Sequence, residues 1–257
     1  MHITLLQTAL HWQNPVANRA MLEETLFTLP EPTDLIVLPE MFTTGFTMNA
    51  AALAEPMNLT TFKWLKQMAR QTNAAITGSY VVQENGQFYN RLIWMEPDGQ
   101  FAHYDKRHLF RMADEEKTYT AGTLRLIRTW RGWRICPLIC YDLRFPVWSR
   151  NRQIAPHQLD YDLLLYVANW PAPRQLAWDT LLQARAIENL SYVAGVNRVG
   201  QDGNQHTYLG GSALLDFKGE IISRQYDTEL VIQNALSMSN LQDFRTNFPA
   251  YLDADFQ

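Results

Sequence analysis

Cysteine is scarce in this chain, whose 257 residues include only Cys136 and Cys140. So few thiols favour a reducing compartment, because chains that depend on disulfides belong to oxidising ones. The two cysteines also lie close together on one predicted strand, where a rise of about 3.3 Å per residue puts their Cα atoms about 13 Å apart. We therefore expect two free thiols and a cytoplasmic protein.

The sequence also lacks long apolar runs and basic runs. No apolar segment approaches the ~20 residues that a membrane helix needs, and the formal net charge is −4. Nucleic acid and anionic membrane are therefore poor predictions for a partner. The first residues lack the charged region and cleavage site of a signal peptide and predict a strand instead. The expected partner is a small molecule.

No linker rich in glycine, serine or proline divides the chain. We therefore predict one α/β domain over residues 1–236, followed by a tail, residues 237–257, that packs on the domain or on a partner chain. Helices between the early strands and hairpins between the late ones favour a mixed sheet, or two sheets stacked between helix layers. Strands are predicted at 2–9, 34–39, 74–83, 88–96, 100–106, 132–141, 161–169, 191–199, 212–216, 220–224 and 229–236, and helices at 16–29, 58–72, 175–190 and in the tail. Within the strand 132–141, Pro137 indicates an edge or a bulge.

Cys140 ends the apolar strand 132–141 and is followed by polar residues. A thiol in that position is placed like a nucleophile, and a helix starting after it would favour the thiolate through its dipole. The alternative is a buried structural cysteine, which is the commoner role of a thiol and the one we expect for Cys136.

Two further residues suit the same chemistry. Glu40 ends another apolar strand, where burial would raise its pKa and fit it to move a proton. Lys106 follows a third strand, and its ammonium would stabilise the oxyanion of a tetrahedral intermediate. Taken singly, each has an ordinary alternative as a charge in a surface turn.

The three residues occur in the segments Leu-Pro-Glu40, Asp-Lys106-Arg-His-Leu-Phe and Cys140-Tyr-Asp-Leu-Arg-Phe-Pro. In this order and with these flanks, they resemble the nitrilase, or carbon–nitrogen hydrolase, superfamily, whose catalytic set is Glu-Lys-Cys. The likeness runs from the first strand to about residue 236. The segments His108–Glu115 and Asn169–Arg174 are similar to its bacterial omega-amidase branch.

The resemblance implies a four-layer α-β-β-α sandwich. It also implies that Glu40 is the general base, that Cys140 is the nucleophile, and that Lys106 polarises the carbonyl oxygen together with the amide of Tyr141. A second glutamate between the lysine and the cysteine is common in the family. Glu115 fits this position best, and its neighbour Glu116 is the alternative.

The resemblance further implies a homodimer, to which the apolar run Phe145–Trp148 would supply contact area. These residues would equally suit internal packing. No His-x-Glu or Cys-x-x-Cys cluster is present, so we expect neither a metal nor another cofactor.

The substrate implied by the omega-amidase branch is a small 2-oxo dicarboxylic acid monoamide, such as 2-oxoglutaramate or 2-oxosuccinamate. Asn169 and Trp170 end a buried strand and are expected to line the pocket. Arg174 and Arg111 are candidates for binding the substrate carboxylate, because a guanidinium binds carboxylates with two hydrogen bonds. For Arg144 we expect a structural role, in which it pairs with a carboxylate and holds the turn after Cys140.

Other functions stay open at this point. Related activities are hydrolysis of deaminated glutathione, of N-carbamoyl compounds or of nitriles. A papain-like enzyme would use His108 to activate Cys140, although the local cysteine signatures of such proteases are missing. A scaffold that kept the fold without catalysis is the non-enzyme alternative.

Overall fold

Two β-sheets form the centre of the molecule, and the computed structural model describes residues 1–255 of the chain. The strands of sheet one lie in the order β16-β1-β2-β4-β5-β6, with β3 beside β4, and those of sheet two in the order β13-β14-β12-β11-β8-β7, with β15 beside β14. Sheet one consists of β1 (His2–Gln7), β2 (Leu35–Val37), β3 (Glu55–Pro56), β4 (Ala75–Glu84), β5 (Gln87–Met95), β6 (Phe101–Asp105) and β16 (Leu230–Ala235). Sheet two consists of β7 (Arg128–Trp130), β8 (Trp133–Ile139), β11 (Leu163–Ala168), β12 (Tyr192–Asn197), β13 (Val199–Gln201), β14 (Thr207–Leu215) and β15 (Ile221–Tyr226).

The three longest helices cover the outer faces of the two sheets. Seven α-helices are present among residues 1–255. They are α1 (Pro15–Phe27), α2 (Ala50–Leu53), α3 (Thr60–Thr72), α4 (Glu115–Thr118), α5 (Pro146–Ser149), α6 (Gln175–Asn189) and α7 (Met238–Asn247), and a small hairpin is made by β9 (Gln153–Ala155) and β10 (Gln158–Leu159). None of the helices among residues 1–255 is long and apolar enough to cross a membrane.

The packing of apolar side chains defines four layers. One core cluster joins the facing sides of the two sheets, for example Leu5 and Trp94 of sheet one with Leu163 of sheet two. A second cluster joins the other side of sheet one to α1 and α3. On the other side of sheet two, α6 lies so close to β12 that a Cβ atom at Gly195 would come within 2.6 Å of Leu182 Cδ1. The α-β-β-α sandwich expected from the resemblance is confirmed.

Both sheets mix parallel and antiparallel pairs, as predicted. The pairs β1–β2 and β2–β4 are parallel in sheet one, and β8–β11 and β11–β12 are parallel in sheet two. The carboxyl ends of parallel strands meet at one edge of a sheet, where α/β proteins commonly bind ligands. Glu40, Cys140, Asn169 and Asn197 all lie at or just after such strand ends.

The sequence did not predict the short strands β3, β7, β9, β10 and β13, and the predicted strands differ from the structure as follows. Residues 132–141 shorten to Trp133–Ile139, and Cys140 belongs to a short 3-10 helix, Cys140–Arg144. Pro137 lies inside sheet two rather than on its outermost strand, but β7 pairs only with residues 133–135, so Pro137 has a strand partner on one side alone. Strand β14 starts at Thr207 rather than at 212. The prediction missed its first half because that part contains Gly210 and Gly211 and shows no apolar alternation.

The tail packs against the domain. Leu241 of α7 is fully buried, and the ring centroid of Phe244 lies 4.8 Å from that of Phe217. Arg245 donates hydrogen bonds to the carbonyl of Leu190 at 2.8 Å and to Asp162 Oδ1 at 2.7 Å. A short 3-10 helix, Ala250–Asp253, follows α7.

Candidate active site

Cys140 has a backbone conformation that β-strands exclude. Its φ is +43°, in the left-handed region, which a residue with a Cβ enters only at a cost of about 1–3 kcal/mol. The turn takes the thiol out of the strand and into a cavity, where 9% of the residue remains exposed and Sγ lies 4.0 Å from the carbonyl oxygen of Asn169. Strain of this kind is concentrated at functional sites.

A buried ion cluster lies beside the thiol. Lys106 is 1% exposed, and its Nζ donates to Glu40 Oε1 at 2.8 Å and to Glu115 Oε1 and Oε2 at 3.0 and 2.9 Å. The amide of Asn90 donates to Glu40 Oε1 at 2.8 Å. The structure thus brings together Glu40, Lys106 and Glu115, and it distinguishes Glu115 from Glu116, whose side chain is 27% exposed and lies 3.8 Å from Arg111.

The charges of this cluster do not balance, because one ammonium lies between two carboxylates. Burial by itself would lower the pKa of Lys106, but Glu115 and Glu40 outweigh burial and raise it. Lys106 therefore stays charged. Burial also raises the pKa of Glu115, although the neighbouring ammonium opposes this.

The thiol of Cys140 is held in its protonated form. Burial raises its pKa well above the ordinary value, the charge of Glu40 raises it further, and Lys106 only partly offsets both. The expectation that a following helix would favour the thiolate is therefore wrong, because the 3-10 helix Cys140–Arg144 is only five residues long and burial dominates. A thiol in this state needs a base, and the carboxylate of Glu40, which is among the groups that raise the pKa of Cys140, lies close enough for that role.

Asn169 joins the two sheets at the site. Its backbone N–H donates to Glu40 Oε2 at 2.9 Å, and its side-chain amide donates to the Glu40 carbonyl at 2.5 Å. Trp170 follows, and its N–H donates to Asn197 Oδ1 at 2.7 Å. Sequence reasoning missed Asn197, although the polar end of its strand was the available signal.

Asp142 is a second residue that sequence reasoning missed. Its fully buried carboxylate accepts hydrogen bonds from the backbone N–H of Ile139 and of His108, both at 3.0 Å, and from the hydroxyl of Tyr104 at 2.7 Å. Asp142 thereby connects the turn at Cys140 with the segment after Lys106. The available signal was its position two residues after Cys140.

His108 is not placed to activate Cys140. Its Nδ1 lies 2.7 Å from Asp142 Oδ1, and its ring stacks on Phe145 with 3.7 Å between the ring centroids. Because the carboxylate of Glu40 occupies the place of a base, the geometry disfavours the papain-like alternative.

The thiol opens into a cavity of about 580 Å³. Its lining includes the predicted site residues Glu40, Lys106, Cys140, Tyr141, Asn169, Trp170 and Arg174, together with Arg144, Trp12, Phe46, Asp202 and Tyr208. A volume of this size suits a small molecule.

The arginines are arranged differently from the sequence prediction. Arg111 does not line the cavity, since its side chain is 82% exposed. Arg174 does, with its guanidinium 5.3 Å from the ring centroid of Phe110. Arg144 lines the cavity too, 5.0 Å from the ring of Trp170. The carboxylate partner predicted for Arg144 is not found among residues 1–255, so its charge faces the cavity.

Comparison with known proteins agrees with this arrangement. The model of the carbon-nitrogen hydrolase family matches residues 5–246. The chain belongs to the carbon-nitrogen hydrolase family. It is therefore a hydrolase of carbon–nitrogen bonds other than peptide bonds, as the sequence predicted.

Relatives in this family match over almost the whole chain. Omega-amidase YafV of Escherichia coli K12 is 51% identical over 99% of this chain and 97% of its own length. The 2-oxoglutaramate amidase of Bacillus subtilis is 30% identical over 98% of this chain and 96% of its own. XC1258 of Xanthomonas campestris, a CN-hydrolase superfamily protein with an arsenic adduct in its active site, is 47% identical with a TM-score of 0.98, covering 100% of this chain and 98% of that one.

The burial of Lys106 between two carboxylates gives a prediction about stability. The change Lys106→Met should lower the free energy of unfolding by about 3–5 kcal/mol, because two carboxylates are left buried without their cation. Adding Glu115→Gln should recover part of the loss by removing one of those charges. Urea unfolding, followed by circular dichroism, gives the free energy of unfolding of the native protein, of Lys106→Met and of the double variant.

Lys117 offers the matched control, because its side chain is 69% exposed and pairs with Asp114 at the surface. The change Lys117→Met should shift the free energy of unfolding by less than about 0.5 kcal/mol. A double variant no more stable than Lys106→Met alone would contradict the charge argument.

Proposed function

We propose that this chain is an omega-amidase. It hydrolyses the terminal amide of small 2-oxo dicarboxylic acid monoamides, of which 2-oxoglutaramate and 2-oxosuccinamate are the simplest, to the dicarboxylic acid and ammonia. The observation that carries the proposal is the protonated Cys140 beside the buried cluster of Glu40, Lys106 and Glu115, in a cavity that two arginines line. The relatives named omega-amidase and 2-oxoglutaramate amidase support the choice of substrate.

The first half of the reaction forms a thioester. Glu40 takes the proton of Cys140 as Sγ attacks the carbonyl carbon of the amide, so that no free thiolate accumulates. The ammonium of Lys106 and the backbone N–H of Tyr141 stabilise the negative oxygen of the tetrahedral intermediate. Glu40 then gives its proton to the leaving nitrogen, the C–N bond breaks, and ammonia departs.

The second half of the reaction hydrolyses the thioester. Glu40 takes a proton from water, and the hydroxide adds to the thioester carbonyl. The new intermediate collapses with release of the carboxylic acid, and the sulfur recovers its proton from Glu40. Glu115 does not contact the reacting atoms in this scheme. It accepts two hydrogen bonds from Lys106 and holds the ammonium in place.

The cations on the cavity wall indicate an acidic substrate. Arg144 and Arg174 each lie on an aromatic ring, and Arg174 Nη2 also contacts the sulfur of Met112 at 3.4 Å. A thioether is a weak acceptor that a carboxylate would displace, so both guanidiniums suit a carboxylate ligand. A substrate whose carboxylate reached these residues would present its distal amide to Cys140. We propose this orientation, with Arg144 taking the place that the sequence gave to Arg111.

We propose that the enzyme is a homodimer and works in the cytoplasm. Val147 on α5 is 79% exposed, and α5 directly follows the segment that holds Cys140. An exposed aliphatic side chain in this position suits a contact between two copies. Two free thiols, Cys136 and Cys140, suit a reducing compartment.

The thioester can be detected directly. Acid quenching during turnover of a slow amide, followed by intact-mass measurement, should show the enzyme plus one acyl group. The change Cys140→Ala should abolish the adduct. The matched control is Cys136→Ala, which should retain it, because burial raises the pKa of Cys136 to about 12 and Cys136 is not part of the cavity lining. An adduct that persists in Cys140→Ala would place the nucleophile elsewhere.

The arginines should distinguish an acid from its ester. Removing a charged hydrogen bond costs about 1.5–3 kcal/mol, so Arg144→Gln and Arg174→Gln should each lower kcat/KM for 2-oxoglutaramate roughly ten- to hundredfold. The same changes should hardly lower kcat/KM for its carboxyl methyl ester. Arg111→Gln should leave kcat/KM for both the acid and the ester unchanged. The measurement is ammonia release under steady-state conditions.

Equal turnover of acid and ester by the native enzyme would contradict the acidic substrate. A nitrile, an N-carbamoyl compound or deaminated glutathione would then be the better candidate, and the same ammonia assay on these compounds would decide. No turnover of any of them would favour the non-catalytic scaffold.

The dimer is tested by sedimentation velocity. The change Val147→Glu should convert a dimer of the 29.8 kDa chain into a monomer, because it places a charge in the contact. Val16 on α1, which packs on the outer face of sheet one, is comparably exposed, at 71%, so Val16→Glu is the control and should leave the dimer intact. A native protein that sediments as a monomer at all concentrations would exclude the proposal.

A further inference from the structure

Arg198 is a cation that the proposed reaction does not use. It follows β12 directly, and its side chain is completely buried. No carboxylate lies within ion-pair distance of it among residues 1–255. Burial lowers the pKa of its guanidinium, with Tyr208 and Asp202 opposing the effect. A buried charge without an ion pair is costly. Other contacts of the guanidinium must therefore stabilise it in the folded protein.

Arg198 Nε donates to the carbonyl of the next residue, Val199, at 3.2 Å, and its other side-chain contacts go to chain segments that carry cavity-lining residues. Nη2 donates to the carbonyl of Leu10 at 3.2 Å and to that of Gln201 at 3.1 Å. The guanidinium carbon lies 4.8 Å from the ring centroid of Tyr208. Leu10 lies two residues before Trp12, and Gln201 lies directly before Asp202. One side chain therefore fastens the two chain segments that carry Trp12, Asp202 and Tyr208, which we call the Trp12 wall.

Glycines let this wall pack tightly around the indole of Trp12. A Cβ atom at Gly203 would lie 2.2 Å from Trp12 Cδ1, so the indole rests on the bare backbone there. A Cβ atom at Gly45 would lie 3.1 Å from Trp12 Cε3 and 3.2 Å from Arg198 Nη1. Trp12 is thus held between two glycine backbones, with Arg198 beside one of them.

The residue before Arg198 supports a different part of the site. Asn197 accepts from the N–H of Trp170 at 2.7 Å and donates to its carbonyl at 3.0 Å. Trp170 follows Asn169, which bonds Glu40. Neighbouring residues at the end of β12 therefore support separate regions: Asn197 the reacting groups, and Arg198 the Trp12 wall.

We infer that Arg198 is a positioning residue that fixes the Trp12 wall and thereby sets how long a substrate the cavity accepts. The inference rests on the proposed amide hydrolysis and adds a determinant of its specificity. Because the Trp12 wall makes none of the hydrogen bonds of Cys140, Glu40 or Lys106 among residues 1–255, loosening it changes the room for the substrate more than the chemical step.

The test measures kcat and KM for the homologous monoamides malonamate, succinamate, glutaramate and adipamate. In Arg198→Met, KM for the amide that the native enzyme prefers should rise roughly tenfold, since hydrophobic pockets discriminate one methylene by about that factor. The order of preference should shift to longer chains, while kcat for the best substrate stays within about threefold of native, because uniform binding losses appear in KM. Arg198→Lys, which keeps the charge but not the planar fork, should fall between.

Arg185 provides the matched control. It is a second nearly buried arginine, but it bonds the carbonyl of Leu143 and Glu188 rather than the Trp12 wall. Arg185→Met should lower stability without changing the order of chain lengths. Gly203→Ala reaches the wall by another route, since its methyl group displaces Trp12, and it should change the length preference with Arg198 intact.

The outcomes separate the inference from the proposed function. An unchanged order of chain lengths in both Arg198→Met and Gly203→Ala overturns the inference, as does a kcat that falls equally for every length. If Arg198→Met does not fold, Gly203→Ala decides. If the native enzyme hydrolyses neither these amides nor 2-oxoglutaramate, the proposed function fails, and calorimetric binding of malonate, succinate, glutarate and adipate to native and Gly203→Ala protein decides the length inference.

Discussion

The burial of one ammonium between two carboxylates is the constraint on which the rest of the site depends. Lys106 has lost nearly all contact with water, and a charge removed from water is tolerated only with well-placed partners. Glu40 and Glu115 supply them, and Asn90 occupies a remaining acceptor position. The carboxylates that keep Lys106 protonated also add to the effect of burial, which keeps the proton on Cys140. In the proposed mechanism, one buried cluster thus serves both the electrophile and a nucleophile that depends on a base.

The sequence was informative where function coincides with the end of a regular element. Glu40 and Cys140 follow strands whose type and position could be predicted from continuous runs of apolar residues. Lys106 follows a hairpin strand. The layer order came from the family resemblance, since periodicity alone predicts strands without saying how two sheets stack. Boundaries were correct to within a few residues except at β14, where two glycines interrupt the pattern.

The remaining residues depend on contacts between segments distant in the chain. Arg111 and Arg174 lie on equally polar stretches, and only the fold shows that one faces solvent and the other the cavity. Arg144 was assigned to a carboxylate but lies on Trp170, which is 26 positions later in the chain. Asp142 receives hydrogen bonds from a segment 34 residues earlier. No local pattern encodes such pairs.

The division of the site between the sheets has a consequence for the folding chain. Glu40 and Lys106 follow strands of sheet one, whereas Cys140 and Asn169 follow strands of sheet two. A partly folded chain with both sheets formed but not yet docked has neither the assembled base nor the electrophile next to the sulfur. Its thiol is then an ordinary one, and the site is complete only when the two sheets pack against each other. Nascent or damaged molecules in which the sheets are apart therefore lack the assembled site.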